Sequence, residues 1–122
     1  MRLVGPSRQP LRDELDVMRE KIDFSRAMVL EIGCGAAIRT EQIALYTDVE
    51  SITAAEIDAV AHRKNLGKQV KKVKFESFGA QQIPYDSQSF DVVIMLKSLH
   101  HVPGAMMRQS LGEIHRVLKK GG

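Results

Sequence analysis

Leu11, Leu15, Met18 and Ile22 recur every three or four residues with charged positions between them, which predicts an amphipathic helix over 11–23. Residues 1–10, interrupted by Pro6 and Pro10, read as an irregular arm. The run AMVLEI over 27–32 is short, mostly apolar and stops at glycine, the pattern of a strand buried on both faces of a parallel sheet. A helix over 38–47 follows, with Ile38, Ile43, Leu45 and Tyr46 as its apolar positions. SITAAE, 51–56, is a second strand; Asp58 then caps a helix that runs to Leu66 and is closed by Gly67. Val73 and Phe75 alternate with charged residues, as in a strand near a sheet edge. After the turn-forming IPYDSQS, FDVVIML over 90–96 is the strongest strand signal in the chain. Pro103 opens a last helix with Met107, Leu111, Ile114 and Leu118 on one face, ended by Gly121 and Gly122. Strands alternate with helices throughout, so the fold class is α/β with a parallel sheet and right-handed crossovers.

Composition narrows the picture without redirecting it. The chain has 122 residues, enough for one domain, with 43% hydrophobic and 27% charged positions, as in soluble globular proteins. No apolar run approaches the roughly 20 residues of a membrane span, and the N-terminus lacks a secretory core, so a cytoplasmic location is expected. Cys34 is the only cysteine, which excludes an internal disulfide and a cysteine-built zinc site. The net charge of +3 owes much to Lys64, Lys68, Lys71, Lys72 and Lys74. These read as a solvated face ahead of a nucleic-acid contact, because no aromatic residues interleave for stacking.

The chemistry concentrates where strand, glycine turn and helix are followed by a second strand ending in an acid. Gly33 and Gly35 let the backbone turn sharply and approach a nucleoside closely. Glu56, about 20 residues on, is placed to accept hydrogen bonds from ribose hydroxyls. A dinucleotide fingerprint needs glycine or alanine where Ile38 stands, and no phosphate-loop ending follows the turn. Glu31, two residues before the turn, suits a cationic sulfonium ligand bearing an ammonium group better than a pyrophosphate. The turn therefore favours S-adenosylmethionine over a nicotinamide dinucleotide.

The strings VLEIGCGAA, ITAAEID, IPYDSQSFDVVIMLKSLHHV and EIHRVLKKGG stand in the order and spacing of the motifs of the class I S-adenosylmethionine-dependent methyltransferases. The chain resembles the small-molecule, type 11-like branch of that family over 28–122. The resemblance implies a division into an arm and helix over 1–25 and a partial S-adenosylmethionine-binding domain over 26–122. It places Glu31, Gly33, Cys34 and Gly35 around the methionine and ribose portions, Glu56 on the ribose hydroxyls and Ile57 against adenine. Gly79, Ala80 and Gln81 would flank the base, and Leu96 and Lys97 would border the reaction pocket. Ala37 stands where the family's turn often has a third glycine. Gly79 stands where an aspartate often bonds the adenine amino group, and losing that bond would weaken binding about fivefold to tenfold.

The complete fold so implied is Rossmann-like, with seven strands in the order 3-2-1-4-5-7-6. This sequence supplies four, in the order 3-2-1-4, and leaves strand 90–96 at an open edge. A second copy forming a homodimer, another polypeptide, or residues outside the chain would complete that edge. His100 and His101 follow the strand and are the candidate catalytic residues, either as a general base or as packing and loop hydrogen bonding. Displacement of a methyl group from a sulfonium needs alignment and exclusion of water, not a nucleophilic residue, so Cys34 reads as a small side chain under the turn. Arg39 is placed either on the ligand carboxylate or in solvent, and no histidine pair has metal spacing. Two functions remain: transfer to an unidentified, small-molecule acceptor, or an incomplete module that binds the nucleoside without turnover.

Overall fold

Val29, Leu30, Glu31 and Ile32 are buried in succession, a pattern that only a strand covered on both faces sustains. The computed structural model describes residues 18–95 and 104–120, and in it this segment is β1 (Met28–Ile32), at the interior of a four-stranded parallel sheet. The other strands are β2 (Ser51–Ala55), β3 (Val73–Glu76) and β4 (Val92–Ile94), in the spatial order β3-β2-β1-β4. Pairing is in register from Met28 with Ser51 to Ile32 with Ala55, and from Val29 with Val92 to Glu31 with Ile94. Among the described residues, besides the helical stretch 18–21, the helices α1 (Ile38–Tyr46), α2 (Ala59–Leu66) and α3 (Gly104–Val117) flank the sheet. The Rossmann-like order expected of the chain is the order observed.

The two-residue period of β1 sorts the core into two layers. Val29 packs with Ile43 of α1, Ile52, Ile94 and the preceding residues Met18, Phe24 and Ala27. Leu30 and Ile32 face the other way, toward Ala80, Ile83, Phe90 and Val117 of α3. Full burial of an aliphatic side chain of this kind contributes about 2 kcal/mol.

Several expectations need correction. In α1 the inward residues are Thr40 and Ile43, while Ile38, Leu45 and Tyr46 are exposed; the helix meets the sheet along a single narrow row. In α3 the buried positions are Ser110 and Val117, one residue before the expected Leu111 and Leu118, and Leu111 is exposed. That helix stops at Val117 because the next residues turn to pair with Phe90. Of strand 90–96, the described residues form β4 over Val92–Ile94, with Phe90 held in a separate parallel bridge to Leu118, and Leu96 lies outside them. Residues 18–21 are helical, but the rest of the 11–23 helix, the arm, Pro103, Gly121 and Gly122 lie outside the described residues.

β4 is an edge, and its edge is already partly occupied. Asp91 N–H donates to the Met28 carbonyl at 2.8 Å, so Asp91 faces β1. Phe90 faces outward, its N–H on the Val117 carbonyl at 2.9 Å and its carbonyl taking the Lys119 N–H at 2.8 Å. By strand alternation, the backbone groups of Val92 and Ile94 face the same outer side. The Asp91 carboxylate ties the strand starts together, accepting from Met28 N–H at 2.8 Å with Lys119 Nζ at 3.4 Å.

Lys72, just before β3, adopts φ 73°, a left-handed conformation that a Cβ makes costly. Its side chain is exposed, and the contact it supplies is its carbonyl, which accepts from Ile52 N–H. Lys72→Gly should therefore raise stability by about 1 kcal/mol. Thermal denaturation reads this as a higher midpoint, and a lower one would show that the lysine side chain contributes more than its conformation costs.

Candidate functional site

β1 and β2 end side by side, and the Gly33 and Cys34 N–H groups both donate to the Ala55 carbonyl, at 2.8 and 3.0 Å. The chain then has to reverse into α1 within a few residues. It does so through left-handed backbone at Gly33 (φ 75°), Gly35 (φ 56°) and Ala37 (φ 64°). Around a Cβ built on Gly35 there is no atom within 4 Å, so the turn borders open space on that side.

Glu56, the residue after β2, organises this turn. Its Oε1 accepts from Gly35 N–H at 2.8 Å and its Oε2 from Asp58 N–H at 2.9 Å. A carboxylate has about four acceptor directions, so both oxygens retain capacity for hydroxyl donors. Asp58 in turn caps α2, accepting from Ala61 N–H at 3.2 Å. The acid inferred from sequence to meet a ribose thus stands against the glycine turn.

Glu31 lies on the α1 side of β1, only 5% exposed, and accepts a hydrogen bond from the Thr40 hydroxyl. Burial raises its carboxyl to about 7, against a smaller opposing effect of the Thr40 bond. A buried acid of this kind is matched by a cationic ligand, whose charge favours the ionised form.

Cys34 is pushed up to about 12 by burial first and then by the charges of Glu31 and Glu56. Its thiol therefore stays protonated at neutral pH, which supports the expected packing role over a nucleophilic one. At pH 8 it should react with thiol reagents about a thousandfold more slowly than a free cysteine. Stopped-time alkylation followed by mass measurement checks this, and rapid labelling would contradict it.

Three residues that the sequence reading missed hold the turn in place. Asn65 of α2, 1% exposed, donates through Nδ2 to the Gly35 carbonyl at 2.7 Å and lies 3.6 Å from Cys34 Sγ. The Lys68 ammonium bonds the Ala36 carbonyl and approaches Glu41 at 3.9 Å. Lys68 is thus part of the turn, whereas Lys64, Lys71, Lys72 and Lys74 are exposed. Thr40 is the third, through Glu31. An asparagine inside a helix is a weak sequence signal, because its role depends on α2 lying beside the turn. Arg39 is partly buried, and burial lowers its guanidinium from the usual value.

Gly79, Ala80 and Gln81 follow β3 on the connection to β4. Ala80 is buried, whereas a Cβ added to Gly79 would lie 3.2 Å from Ile57 Cδ1 and 3.7 Å from Gln81 Oε1. Residues after β2 and β3 are thus brought together beyond the same end of the sheet. α3 fastens this connection. Gln109 Nε2 donates to the Gln81 carbonyl at 2.8 Å, and Glu113 accepts from Ile83 N–H at 2.9 Å. Arg116 donates to the carbonyls of Tyr85 and Ile83 at 2.7 and 2.9 Å and pairs with Glu113. The Arg116 bonds and the Ile83 amide hold the Glu113 carboxyl down to about 2. Leu96, Lys97, His100 and His101 lie outside the described residues.

A family model described as a methyltransferase domain matches residues 30–122. The chain is 35% identical over 100 residues to the 27-O-demethylrifamycin SV methyltransferase of Amycolatopsis mediterranei, covering 77% of this chain and 35% of that protein. It is likewise 35% identical over 102 residues to the sterol 24-C-methyltransferase erg-4 of Neurospora crassa, covering 77% of this chain and 25% of that protein. The chain thus spans about a third or less of these relatives' lengths. Among solved structures, the YcgJ protein of Bacillus subtilis superposes with a TM-score of 0.79 at 24% identity, over 91% of this chain and 48% of that one. The match extends over the turn, the acid after β2 and the fastened connection together.

Proposed function

The chain belongs to the methyltransferase domain family, and from that premise we propose that it binds S-adenosylmethionine at the glycine turn and presents its methyl group to a small-molecule acceptor. The family supports the donor read from the turn. The observation that carries the site is the convergence of Glu31, Gly35 and Glu56, a buried acid, an open glycine and a second acid within hydrogen-bonding reach of that glycine.

The residues present fit the donor. Glu31 meets its positive charge, directly or through water; Gly33 and Gly35 admit its methionine and ribose portions; Glu56 accepts from its ribose hydroxyls; Cys34 fills space under the turn. Ile57 and the segment Gly79, Ala80 and Gln81 hold the base between them. When bound, the donor supplies an electrophilic methyl group on sulfur. The chain's part is to fix the donor's orientation through a turn that is itself fixed by Glu56, Asn65 and Lys68, so that little ordering remains to be done on binding. The resemblance implies Leu96 at the acceptor side and His100 and His101 either as a general base or in packing and loop hydrogen bonding. No described helix is long and apolar enough to cross a membrane, and we place the protein in the cytoplasm.

The acceptor stays open because relatives of equal identity are named for transfer to oxygen and to carbon. Incubation with methyl-tritiated S-adenosylmethionine and a panel of hydroxylated and unsaturated small molecules tests transfer. Label in an acceptor supports an enzyme. Donor binding without label leaving it favours the second reading, a nucleoside-binding module.

The outward backbone of Val92 and Ile94 suits a further strand, and a second copy pairing there would make a dimer with a continuous sheet. Light scattering should then show a mass that rises with concentration; a monomer at high concentration would oppose it.

A further inference from the structure

Six of the chain's 18 lysines and arginines fall between Asp58 and Glu76, a stretch without an acid, while the other 12 are outnumbered by 15 acids. The positive charge is therefore local, on α2 and the connection into β3. Along α2 the exposed residues are Ala59, Val60, Arg63, Lys64 and Leu66, with Val60 59% and Leu66 60% exposed. Arg63 stands three residues from both Val60 and Leu66, so all three share one side of the helix. Two turns then keep Lys71 and Lys72 close to the end of this helix. In them Lys68 N–H donates to the Asn65 carbonyl at 2.9 Å and Val73 N–H to the Val70 carbonyl at 3.1 Å. Lys68 is held at the glycine turn and Lys74 pairs with Glu76 at 3.3 Å. Among the described residues no carboxylate pairs with Arg63, Lys64, Lys71 or Lys72. Lys72 also keeps its left-handed backbone, although glycine fits it better and nothing in the described chain uses its ammonium group. Strain of this kind gathers where a side chain serves a function.

We infer that this surface docks on an anionic phospholipid membrane, with Arg63, Lys64, Lys71 and Lys72 at the headgroups and Val60 and Leu66 at the acyl boundary. Cations alone would suit any polyanion; the two exposed aliphatic side chains decide between partners. They add nothing to a phosphate contact, and no phenylalanine, tyrosine or tryptophan lies between 59 and 74 to stack a nucleic-acid base. At a bilayer interface the same two side chains leave water. Lysine and arginine stems lie along the apolar layer there, and their charges stay at the phosphates. Each such cation strengthens binding about fivefold, and salt screens the attraction. The inference does not depend on which ligand the glycine turn holds.

Vesicle flotation with the full chain tests this. Vesicles of phosphatidylcholine mixed with phosphatidylserine should bind the chain roughly tenfold or more tightly than phosphatidylcholine alone. Raising salt from about 0.1 M to about 1 M should abolish most of that difference. Lys71→Gln combined with Lys72→Gly should weaken binding to the mixed vesicles about tenfold to thirtyfold, in a chain that circular dichroism shows folded. Leu66→Ser should weaken it about tenfold and leave any binding to a duplex RNA unchanged. Equal binding of the unaltered chain to the two vesicle types would overturn the inference. Tighter binding to the duplex than to the mixed vesicles, unaffected by Leu66→Ser, would make the surface a nucleic-acid contact instead. If the double variant and Leu66→Ser both bind the mixed vesicles like the unaltered chain, the membrane contact lies elsewhere and the inference falls.

Discussion

Glu31→Gln should make the ligand-free chain more stable above neutral pH and at the same time a poorer binder of S-adenosylmethionine. The carboxyl titrates at about 7 when folded against 4.5 when unfolded, because burial disfavours its charge. The folded state therefore holds the proton more tightly. Its stabilising contribution is complete below 4.5, declines as pH rises from 4.5 to 7, and is gone above that. Keeping this carboxylate ionised in the empty site costs about 3 kcal/mol. Glutamine has the same shape, still accepts from Thr40 and carries no charge, so it retains that stability at pH 8. Denaturant unfolding should show the two proteins equal near pH 4 and the variant ahead at pH 8. The same substitution removes the negative partner of the donor's cationic groups, and affinity should fall about tenfold to a hundredfold. In the unaltered chain, affinity for S-adenosylmethionine should rise with pH through about 7 and then level off. If the two proteins have equal stability at pH 8, Glu31 is not strained by burial; if they have equal donor affinity, it does not face the ligand.

Glu56→Ala is the second large effect. From a ribose contact alone the expected loss is about 1.5–3 kcal/mol. The structure adds that Gly35 and Asp58 N–H groups lose their acceptor too, so the turn loosens as well. Donor affinity should fall at least a hundredfold. The two contributions separate with a ligand lacking the 2′-hydroxyl, by the logic of a double-mutant cycle. The unaltered chain should bind the deoxy ligand less well, whereas Glu56→Ala should bind both forms equally. An undiminished preference for the hydroxylated ligand in the variant would leave Glu56 as a turn organiser and place the ribose elsewhere.

The pattern of the chain revealed the central strands because burial on both faces leaves an unbroken apolar run, as at Val29 and Leu30. It also located Gly33, Gly35 and Glu56, since a sharp turn and an acid after a strand leave a local signature. Helix faces were read less well. Leu45, Tyr46 and Leu111 look like core residues by type but are exposed, while Thr40 and Ser110 are buried. Short helices touching a sheet along one row bury few positions, and a hydroxyl bonded to a buried acid, as in Thr40, passes for a surface residue in the sequence. The role of Asn65 was invisible for a different reason: it depends on α2 lying beside a turn about 30 residues earlier, a tertiary fact with no periodicity. The separate bridge at Phe90 has the same origin, since the outward side of Phe90 is taken by Val117 and Lys119.

The central claim is that the glycine turn holds an adenosyl sulfonium ligand, and direct titration of the full chain with S-adenosylmethionine, with Glu56→Ala alongside, tests it most plainly. One ligand should bind per chain, with affinity cut at least a hundredfold in the variant. No binding by the unaltered chain at millimolar donor, or equal binding by both proteins, would contradict it.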